Sequence, residues 1–430
     1  MKVLVVGSGG REHAICWKLA QSPKVTELYC APGNAGIAQA ARCVDIKATD
    51  VDGMVKWAKD NAMDFVVVAP DDPLALGMVN ALEAAHIPAF GPRANAAVIE
   101  ASKAFSKELM KKYRIPTAKY ETFGQRRAFG GHDAPSELDR ALRYIEEQGA
   151  PIVVKADGLA LGKGVVVAST VDEAKTAATE MMEGKKFGES GSTVVIEECM
   201  TGPEVTVLAF ADGEHVRPMP ASQDHKRAYD GNQGPNTGGM GAVSPPPQYT
   251  PEIAQRCMEE IFLPTIRALK EEKRPFHGVI YFGLMLTPDG PRVVEYNARF
   301  GDPECQAVLS LLDSDLMDIF LACREGTLDQ ADIRWKDQTA CCLVLASGGY
   351  PLDYKKGYPI SGLEEAGKSA VVFHAGTAEQ DGQIVTNGGR VLGVTALGDT
   401  LDGAIANAYA AAKPISFQNM HYRRDIGHAF

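Results

Sequence analysis

No two of the nine cysteines form a CxxC pair, and their number is odd. Neither a disulfide framework nor a cysteine zinc site is therefore expected, and the thiols read as reduced, as in a cytosolic protein. The histidines lack metal-ligand spacing. No segment approaches the roughly 20 apolar residues that span a bilayer, and the apolar stretch Val3 to Val6 stops at Gly7, too short for a signal-peptide core. Positive charge is in deficit: 44 Lys and Arg against 55 Asp and Glu leave −11. That balance excludes a general nucleic-acid or anionic-membrane surface, so an anionic substrate must be met by local basic sites. Repeats and low-complexity tracts are also missing. A cytoplasmic protein acting on small molecules is expected.

What is present describes an ordinary globular chain with many ordered loops. Hydrophobic residues make up 45% and charged residues 23% of 430, with 43 glycines and 25 prolines in no regular period. At about 150 residues per domain the length suggests about three domains. The first hundred residues alternate short apolar runs (KVLVV, TELYCA, DFVVVAP) with helical patterns, the signature of a parallel α/β sheet. Ligands of such sheets bind beyond the carboxyl ends of the strands, so GSGGREH, APGNAG and APDDPL are expected on one edge. Downstream, SKAFSKELMKKY reads as a helix, GQRRAFGGHDAPSE as a surface loop, and PIVVKADGLALGKGVVVA as a hairpin with a glycine-rich tip. PEIAQRCMEEIFLPTIRALKEE reads as a helix interrupted near Pro264, and GVIYFGLMLTPDGPRVVEYNAR as a hairpin turning at Pro288-Asp289-Gly290. Beyond about 335 the chain is strand-rich, with a hairpin turn expected at Asn387-Gly388 and a closing helix in TLDGAIANAYAAAKP.

GSGG follows the first strand, yet a dinucleotide fingerprint would need glycine at position 12, which is Glu12, and an acid after the second strand, which ends at Ala31-Pro32. What remains is either an anion-approaching turn at a helix start, with Arg11 adding charge, or a purely structural tight turn. GLALGKG lacks Walker grammar, because Gly164 stands where Ser or Thr belongs and a strand follows. Lys163 at the hairpin tip and Lys155 at the end of PIVVK could both meet phosphate oxygens; a snorkelling lysine is the alternative. In RVVEYNAR, Glu295, Asn297 and Arg299 alternate along a strand onto one face. A carboxylate and an amide oxygen are hard ligands suited to Mg²⁺ shared with nucleotide phosphates, with Arg299 beside them to neutralise phosphate, unless the face is merely solvated. RFGDPE, carrying Asp302 and Glu304, and SQDHK crowd charged groups beside loop glycines.

Taken in order, GSGGREH, APGNAG, SKAFSK, VVKADGLALGKGVVVA, VIEEC, SQDHKR, GPNTGGMGA, VEYNARFGDPE and TNGGRVL closely resemble the phosphoribosylamine-glycine ligases (glycinamide ribonucleotide synthetases) of the ATP-grasp superfamily, over residues 1 to about 427. The resemblance implies an α/β and α+β multidomain fold. It would comprise an N-terminal parallel-sheet α/β substrate domain (1–101), an ATP-grasp core (102–122 and 193–334) with an inserted lid (123–192), and a C-terminal β-rich α+β domain (335–430). It implies ATP-dependent ligation of glycine to 5-phosphoribosylamine in de novo purine biosynthesis, through a glycyl phosphate. ATP and Mg²⁺ (or Mn²⁺) are the implied cofactors. The partners are small molecules, with no nucleic acid or membrane, in a monomer or weak homodimer.

By the same resemblance, Lys103, Lys155, Gly162, Lys163 and Gly164 contact ATP phosphates, Glu197, Glu198 and Cys199 border adenine, and Glu204 holds the ribose. Glu295 and Asn297 ligate metal. Gly9, Gly10, Arg11, Glu12, Asn34, Gly36 and Asp71 face phosphoribosylamine. Asp224, Lys226, Arg299 and Asp302 face glycine, and Lys155, Arg299 and Asp302 are the catalytic set. Three departures stand out: Ala69-Pro70-Asp71 replaces the family's GPE, the stretch Gly124 to Pro135 resembles an insertion, and YFGLML lacks an additional metal-binding carboxylate. Two other readings compete: an ATP-grasp carboxylase or formate-using ligase, and a noncatalytic nucleotide-binding protein.

Overall fold

A computed structural model describes residues 1–124, 136–158, 164–184 and 192–428. Strands β1 (Lys2–Gly7), β2 (Glu27–Pro32), β3 (Arg42–Cys43), β4 (Phe65–Val68) and β5 (Ala89–Phe90) form an all-parallel sheet of order β3-β2-β1-β4-β5. Its central strands are apolar without alternation because both faces are covered. Val3, Val5, Phe65 and Val67 enter one core cluster, while Leu4, Val6, Val66 and Val68 enter another. The strand order reverses between β1 and β4, so a crevice opens beyond their carboxyl ends. The expected edge is formed there: Gly33 N donates to Gly7 O (3.0 Å), and Gly7, at φ +127°, lies against Glu12 and Pro70 so closely that a Cβ would collide with Glu12.

A second sheet, order β6-β9-β7-β8, is antiparallel: β6 (Tyr120–Gly124), β7 (Ile152–Ala156), β8 (Val165–Ala168) and β9 (Thr193–Glu198). Two helices, Glu137–Gln148 and Val171–Glu183, cover one face through Ala141, Ile145, Ala174 and Ala178. Both are capped, by Ser136 in a reciprocal capping box with Asp139 and by Thr170. The expected β7–β8 hairpin is present, with Lys155 opposite Val165. Its tip, including Gly162 and Lys163, lies outside the described residues, as do 125–135 and 185–191.

The third sheet, β11-β10-β16-β17, joins β10 (Glu204–Asp212), β11 (Val216–Pro218), β16 (His277–Thr287) and β17 (Gly290–Asn297). The β16–β17 turn falls at Pro288-Asp289, as expected. The helix before it is not interrupted at Pro264. A π-helical turn over Met258–Phe262 joins Pro251–Cys257 to Leu263–Glu271 with helical dihedrals at every junction, and the widened turn absorbs the missing proline N–H.

A fourth sheet departs from the expected segmentation. Strands β12 (Gln223–Asp224) and β15 (Gly241–Ser244) pair onto β18 (Thr339–Ser347), which continues to β22 (Arg390–Gly398) and β19 (Val371–His374), with β23 (Met420–His421) on β18. SQDHK and GPNTGGMGA are thus anchored on the C-terminal sheet. The short pair β13 (Arg227–Tyr229) and β14 (Gln233–Asn236) follows SQDHK and runs into the start of GPNTGGMGA. The hairpin expected at Asn387-Gly388 sits elsewhere. It joins β20 (Thr377–Gln380) to β21 (Gln383–Thr386) through Asp381 and Gly382, both at positive φ (52° and 75°), as a tight hairpin demands. Asn387-Gly388 instead carries the chain between sheets, with Gly388 backbone packed on Gly376.

The N-terminal and C-terminal domains meet at two buried histidines. His13 Nδ1 accepts from His374 N (2.7 Å), and His374 Nδ1 lies 3.0 Å from Thr377 Oγ1. Burial, reinforced by His374, lowers His13 to about 3, and burial lowers His374 to about 4. Both values fall below the ordinary 6.5, so the unfolded chain binds more protons and stability is lost as pH falls below about 6.5. Denaturant midpoints should fall between pH 6.5 and 4.5 with a slope of up to about 1.4 kcal/mol per unit per histidine. The double variant His13→Gln/His374→Gln should flatten this dependence; an unchanged slope would contradict the assignment.

Candidate active site

Beyond β1, the helix Gly10–Leu19 begins with its donors already engaged. Glu12, 3% exposed, accepts from Gly9 N (2.6 Å) and from Arg11 Nε (2.7 Å). Arg11 also donates to Phe300 O (2.9 Å), and its backbone N lies 3.4 Å from Asp302 Oδ2. Burial alone would lower Arg11, but Glu12 and Asp302 outweigh it and raise its pKa. The turn expected to approach an anion is thereby stapled to the RFGDPE loop, with the carboxylates of Glu12 and Asp302 against its donors. Asn34 is likewise committed: its amide donates to Ser8 O and His374 O (both 2.9 Å) and accepts from Gly36 N and Ile37 N. Gly36 lies against the His374 ring, where a Cβ would stand 2.3 Å from Cγ. These two residues shape the loop. Asp71 opens the helix Asp71–Ala75 and acts electrostatically on Arg11 and Glu100.

On the β6-β9-β7-β8 sheet, alternation sends Val154, Ala156, Val194 and Ile196 into the core and turns Lys155 and Glu197 to the other face. There Glu197 bridges two lysines, Lys155 Nζ (3.0 Å) and Lys107 Nζ (3.0 Å), with all three side chains at least nine-tenths buried. The carboxylate of Glu197, a residue expected on the adenine side, holds these ammonium groups. Burial lowers Lys107 to about 8, opposed by Glu197. Lys103 sits one turn before Lys107 on the helix Lys103–Tyr113 and donates to Gly158 O (2.9 Å). Ser102 caps that helix, and Asp157 ties its start to the hairpin through Ser102 Oγ and Ala104 N (both 3.1 Å). Gly164 O accepts from Ala156 N. Glu198 pairs with Arg292 (3.0 Å) at the rim, beside half-buried Cys199.

Glu295 is the centre of the charged groups. Burial would raise its carboxyl, but Lys226, Lys155, Lys103 and Arg299 together hold it below the ordinary carboxylate range. Lys226 also pairs with Glu204 (3.3 Å). Asp224 is pushed up by burial and by Glu304, Glu204 and Glu295, against the pull of Lys226. Asn297 follows on β17; one end of its amide lies 3.1 Å from both Glu100 Oε1 and Tyr296 O, two acceptors that require the nitrogen there. Arg299 NH2 pairs with the same carboxylate (2.8 Å), while Arg299 Nε is buried without a hydrogen-bond partner. Asp302 Oδ1 accepts from Gln306 (2.9 Å) and lies 3.4 Å from Arg390, which also donates to Gly238 O (2.8 Å) and Asp302 O (2.7 Å).

An ionised carboxylate and an amide oxygen fit a divalent cation that fills its shell with phosphate oxygens and water. Among the described residues there is no cluster of three His, Cys, Asp or Glu side chains forming an all-protein cage.

Family models match along the chain: the phosphoribosylglycinamide synthetase N domain over 1–100, its ATP-grasp (A) domain over 101–305, and its C domain over 340–429. The chain belongs to the phosphoribosylglycinamide synthetase family. It is 49% identical to the phosphoribosylamine-glycine ligase of Vibrio parahaemolyticus, over all of this chain and 98% of that one. It is also 49% identical to that of Rhizobium meliloti, over 99% and 98%. The crystal structure of the Thermotoga maritima phosphoribosylamine-glycine ligase superposes with TM-score 0.85 at 32% identity, covering 99% of this chain and all of that one. The biotin carboxylase domain of Hydrogenobacter thermophilus 2-oxoglutarate carboxylase shares the fold alone (TM-score 0.71, 14% identity, 97% and 91% covered). Membership makes the chain an ATP-dependent ligase that works with a divalent metal.

Four residues of this charged cluster were not singled out in the sequence: Glu100, Gln306, and Lys107 and Arg390, which close SKAFSK and sit within TNGGRVL. Lys107 had a signal, four residues after Lys103 on one helix face. So did Glu100, a lone acid in the apolar helix Ala94–Ala101.

Proposed function

We propose that the chain joins glycine to 5-phosphoribosylamine, converting ATP to ADP and phosphate and yielding glycinamide ribonucleotide for purine biosynthesis. The observation that carries this reading is Glu295 held ionised among Lys103, Lys155, Lys226 and Arg299, an arrangement suited to phosphoryl transfer, in which catalysis rests on positioning and charge. Glu295 and Asn297 offer hard oxygens to Mg²⁺ or Mn²⁺, whose contribution when bound is neutralisation of phosphate charge.

Lys155 and Lys103 have donors left for ATP phosphates, since an ammonium carries three N–H groups and at most two are engaged here. Arg299 Nε, buried and unpartnered, offers a donor to an anion. A glycine carboxylate oxygen attacks the γ-phosphorus and ADP leaves; the phosphoribosylamine nitrogen then attacks the glycyl carbonyl carbon, phosphate leaves and the amine loses a proton. Both acyl phosphate and amine are open to hydrolysis, so the lid carrying Lys155 has water to exclude. Asp224, Lys226 and Asp302 border the glycine side, Glu204 the ribose of ATP, and Glu198 and Cys199 the adenine. Gly9, Gly10 and Asp71 border the phosphoribosylamine side. In this reading residues 1–101 form the substrate domain, 102–122 and 193–334 the ATP-grasp core, 123–192 the lid and 335–430 the C-terminal domain.

The partners are small molecules, and a cytoplasmic monomer or weak homodimer is the setting. The net charge of −11 supports small-molecule partners over nucleic acid; among the described residues no helix is long and apolar enough to cross a membrane. Purified protein should form ADP only when glycine and freshly generated phosphoribosylamine are both present. ADP formation indifferent to glycine, or sustained by bicarbonate in its place, would contradict the reading.

A further inference from the structure

The β16–β17 ladder ends where Tyr281 faces Asn297. Ala298 and Arg299 therefore continue past the sheet without a strand partner, at the point where their side chains must be placed most accurately. The missing partner is a side chain from the N-terminal domain. Glu100, 9% exposed, accepts from Ala298 N through Oε2 (2.7 Å), while its Oε1 meets both Arg299 NH2 (2.8 Å) and one end of the Asn297 amide (3.1 Å); that end also faces Tyr296 O (3.1 Å), and two acceptors require it to be the nitrogen. One buried carboxylate thus holds three consecutive residues.

An ionised carboxylate only accepts hydrogen bonds. Together with the Tyr296 carbonyl, 3.1 Å from the same end of the amide, it decides which end of the Asn297 amide faces it: the nitrogen turns toward these two acceptors and the oxygen turns away, free for a cation. Without Glu100 only the Tyr296 carbonyl favours that orientation, so the preference weakens and the flipped amide, which presents a donor to the metal, gains population. The same carboxylate occupies one terminal nitrogen of Arg299 and leaves the buried Nε unpartnered. We propose that Glu100 is a positioning residue, which orients the Asn297 amide oxygen toward the divalent cation and aims Arg299 at the anion beside it. The proposal rests on the reading of Glu295 and Asn297 as metal ligands given above.

Glu100→Gln keeps the side-chain volume and an acceptor for Ala298 N but brings an NH2 group to the Asn297 amide. Mn²⁺ binding in the presence of ADP, followed by electron paramagnetic resonance on folded protein, should weaken about 10- to 100-fold, as when an outer partner of a ligand is removed. A purely structural role would lower the melting temperature without altering Mn²⁺ affinity of the folded fraction. The decisive comparison uses Asn297→Asp, whose two carboxylate oxygens need no orienting. In that background Glu100→Gln should change Mn²⁺ affinity less than threefold. Equal losses in both backgrounds overturn the orienting role. Wild-type affinity in Glu100→Gln, with affinity lost in Glu295→Ala, overturns the proposal and leaves the metal reading standing; wild-type affinity in Glu295→Ala overturns the metal reading itself.

Discussion

Lys155→Met is expected to lower kcat by about 10²- to 10³-fold, the scale on which one preorganised donor to developing charge contributes. The ammonium is fixed rather than flexible, held by Glu197 (3.0 Å) and Val294 O (3.1 Å) at the end of β7, so little reorganisation is needed when phosphate arrives. The fold should survive. Breaking a buried ion pair costs about 3–5 kcal/mol when it strands a charge, but Glu197 keeps Lys107 as a partner at 3.0 Å. Steady-state ADP formation read beside a thermal melt separates the two effects. Wild-type kcat, or a protein that fails to fold at all, would contradict this division of labour.

The second large effect is expected at Glu295. Glu295→Ala should reduce turnover by at least about 10³-fold, because it removes a metal ligand and also the negative charge that balances Lys226, Lys155, Lys103 and Arg299. Those cations would then repel one another, so the variant should melt at lower temperature while keeping its far-ultraviolet circular dichroism. The sign of the coupling adds a check. Glu295 titrates below its ordinary value when folded, so its stabilising contribution is present above that value and is lost as pH falls through the folded pKa. The wild type should therefore lose more stability than the variant on acidification below about pH 4.5. Turnover at the wild-type rate would refute the metal assignment.

Local pattern was enough for features whose cause is local. The five-stranded parallel sheet follows from apolar runs alternating with helices, and the β7–β8 hairpin from two β-rich runs around a glycine tip. The alternation of Glu295 and Asn297 follows from the period of a strand, whereas Arg299, expected on the same strand, lies beyond its end at Asn297. Local pattern failed where the deciding partner lies far along the chain. Arg11 and Asp302 meet across 291 positions, and nothing near GSGGREH shows that its donors are already taken. Asn34 in APGNAG is claimed by His374 of the C-terminal domain. The pairing of Gly241–Ser244 with Thr339–Ser347 similarly crosses the boundary that composition suggested. Two further errors are of turn chemistry: Asp381-Gly382 and Asn387-Gly388 offer similar hairpin signals, and only the register of the flanking strands distinguishes them. At Pro264 a single π-turn kept the helix intact.

Glu197 shows how a motif can be right and a side-chain role incomplete. VIEEC lies at the end of β9, and the pleat directs Glu197 toward Lys155 and Lys107 rather than outward. Glu198, one residue on, faces Arg292 at the rim. Alternation along β9 was readable from the sequence; the identity of the buried cations was not.

The central claim is that the glycine carboxylate itself accepts the γ-phosphoryl group. Turnover of glycine carrying heavy oxygen in its carboxylate, with the released phosphate examined by phosphorus NMR or mass spectrometry, tests it most directly. One labelled oxygen should pass from glycine into each phosphate; phosphate free of label while glycinamide ribonucleotide accumulates would contradict it.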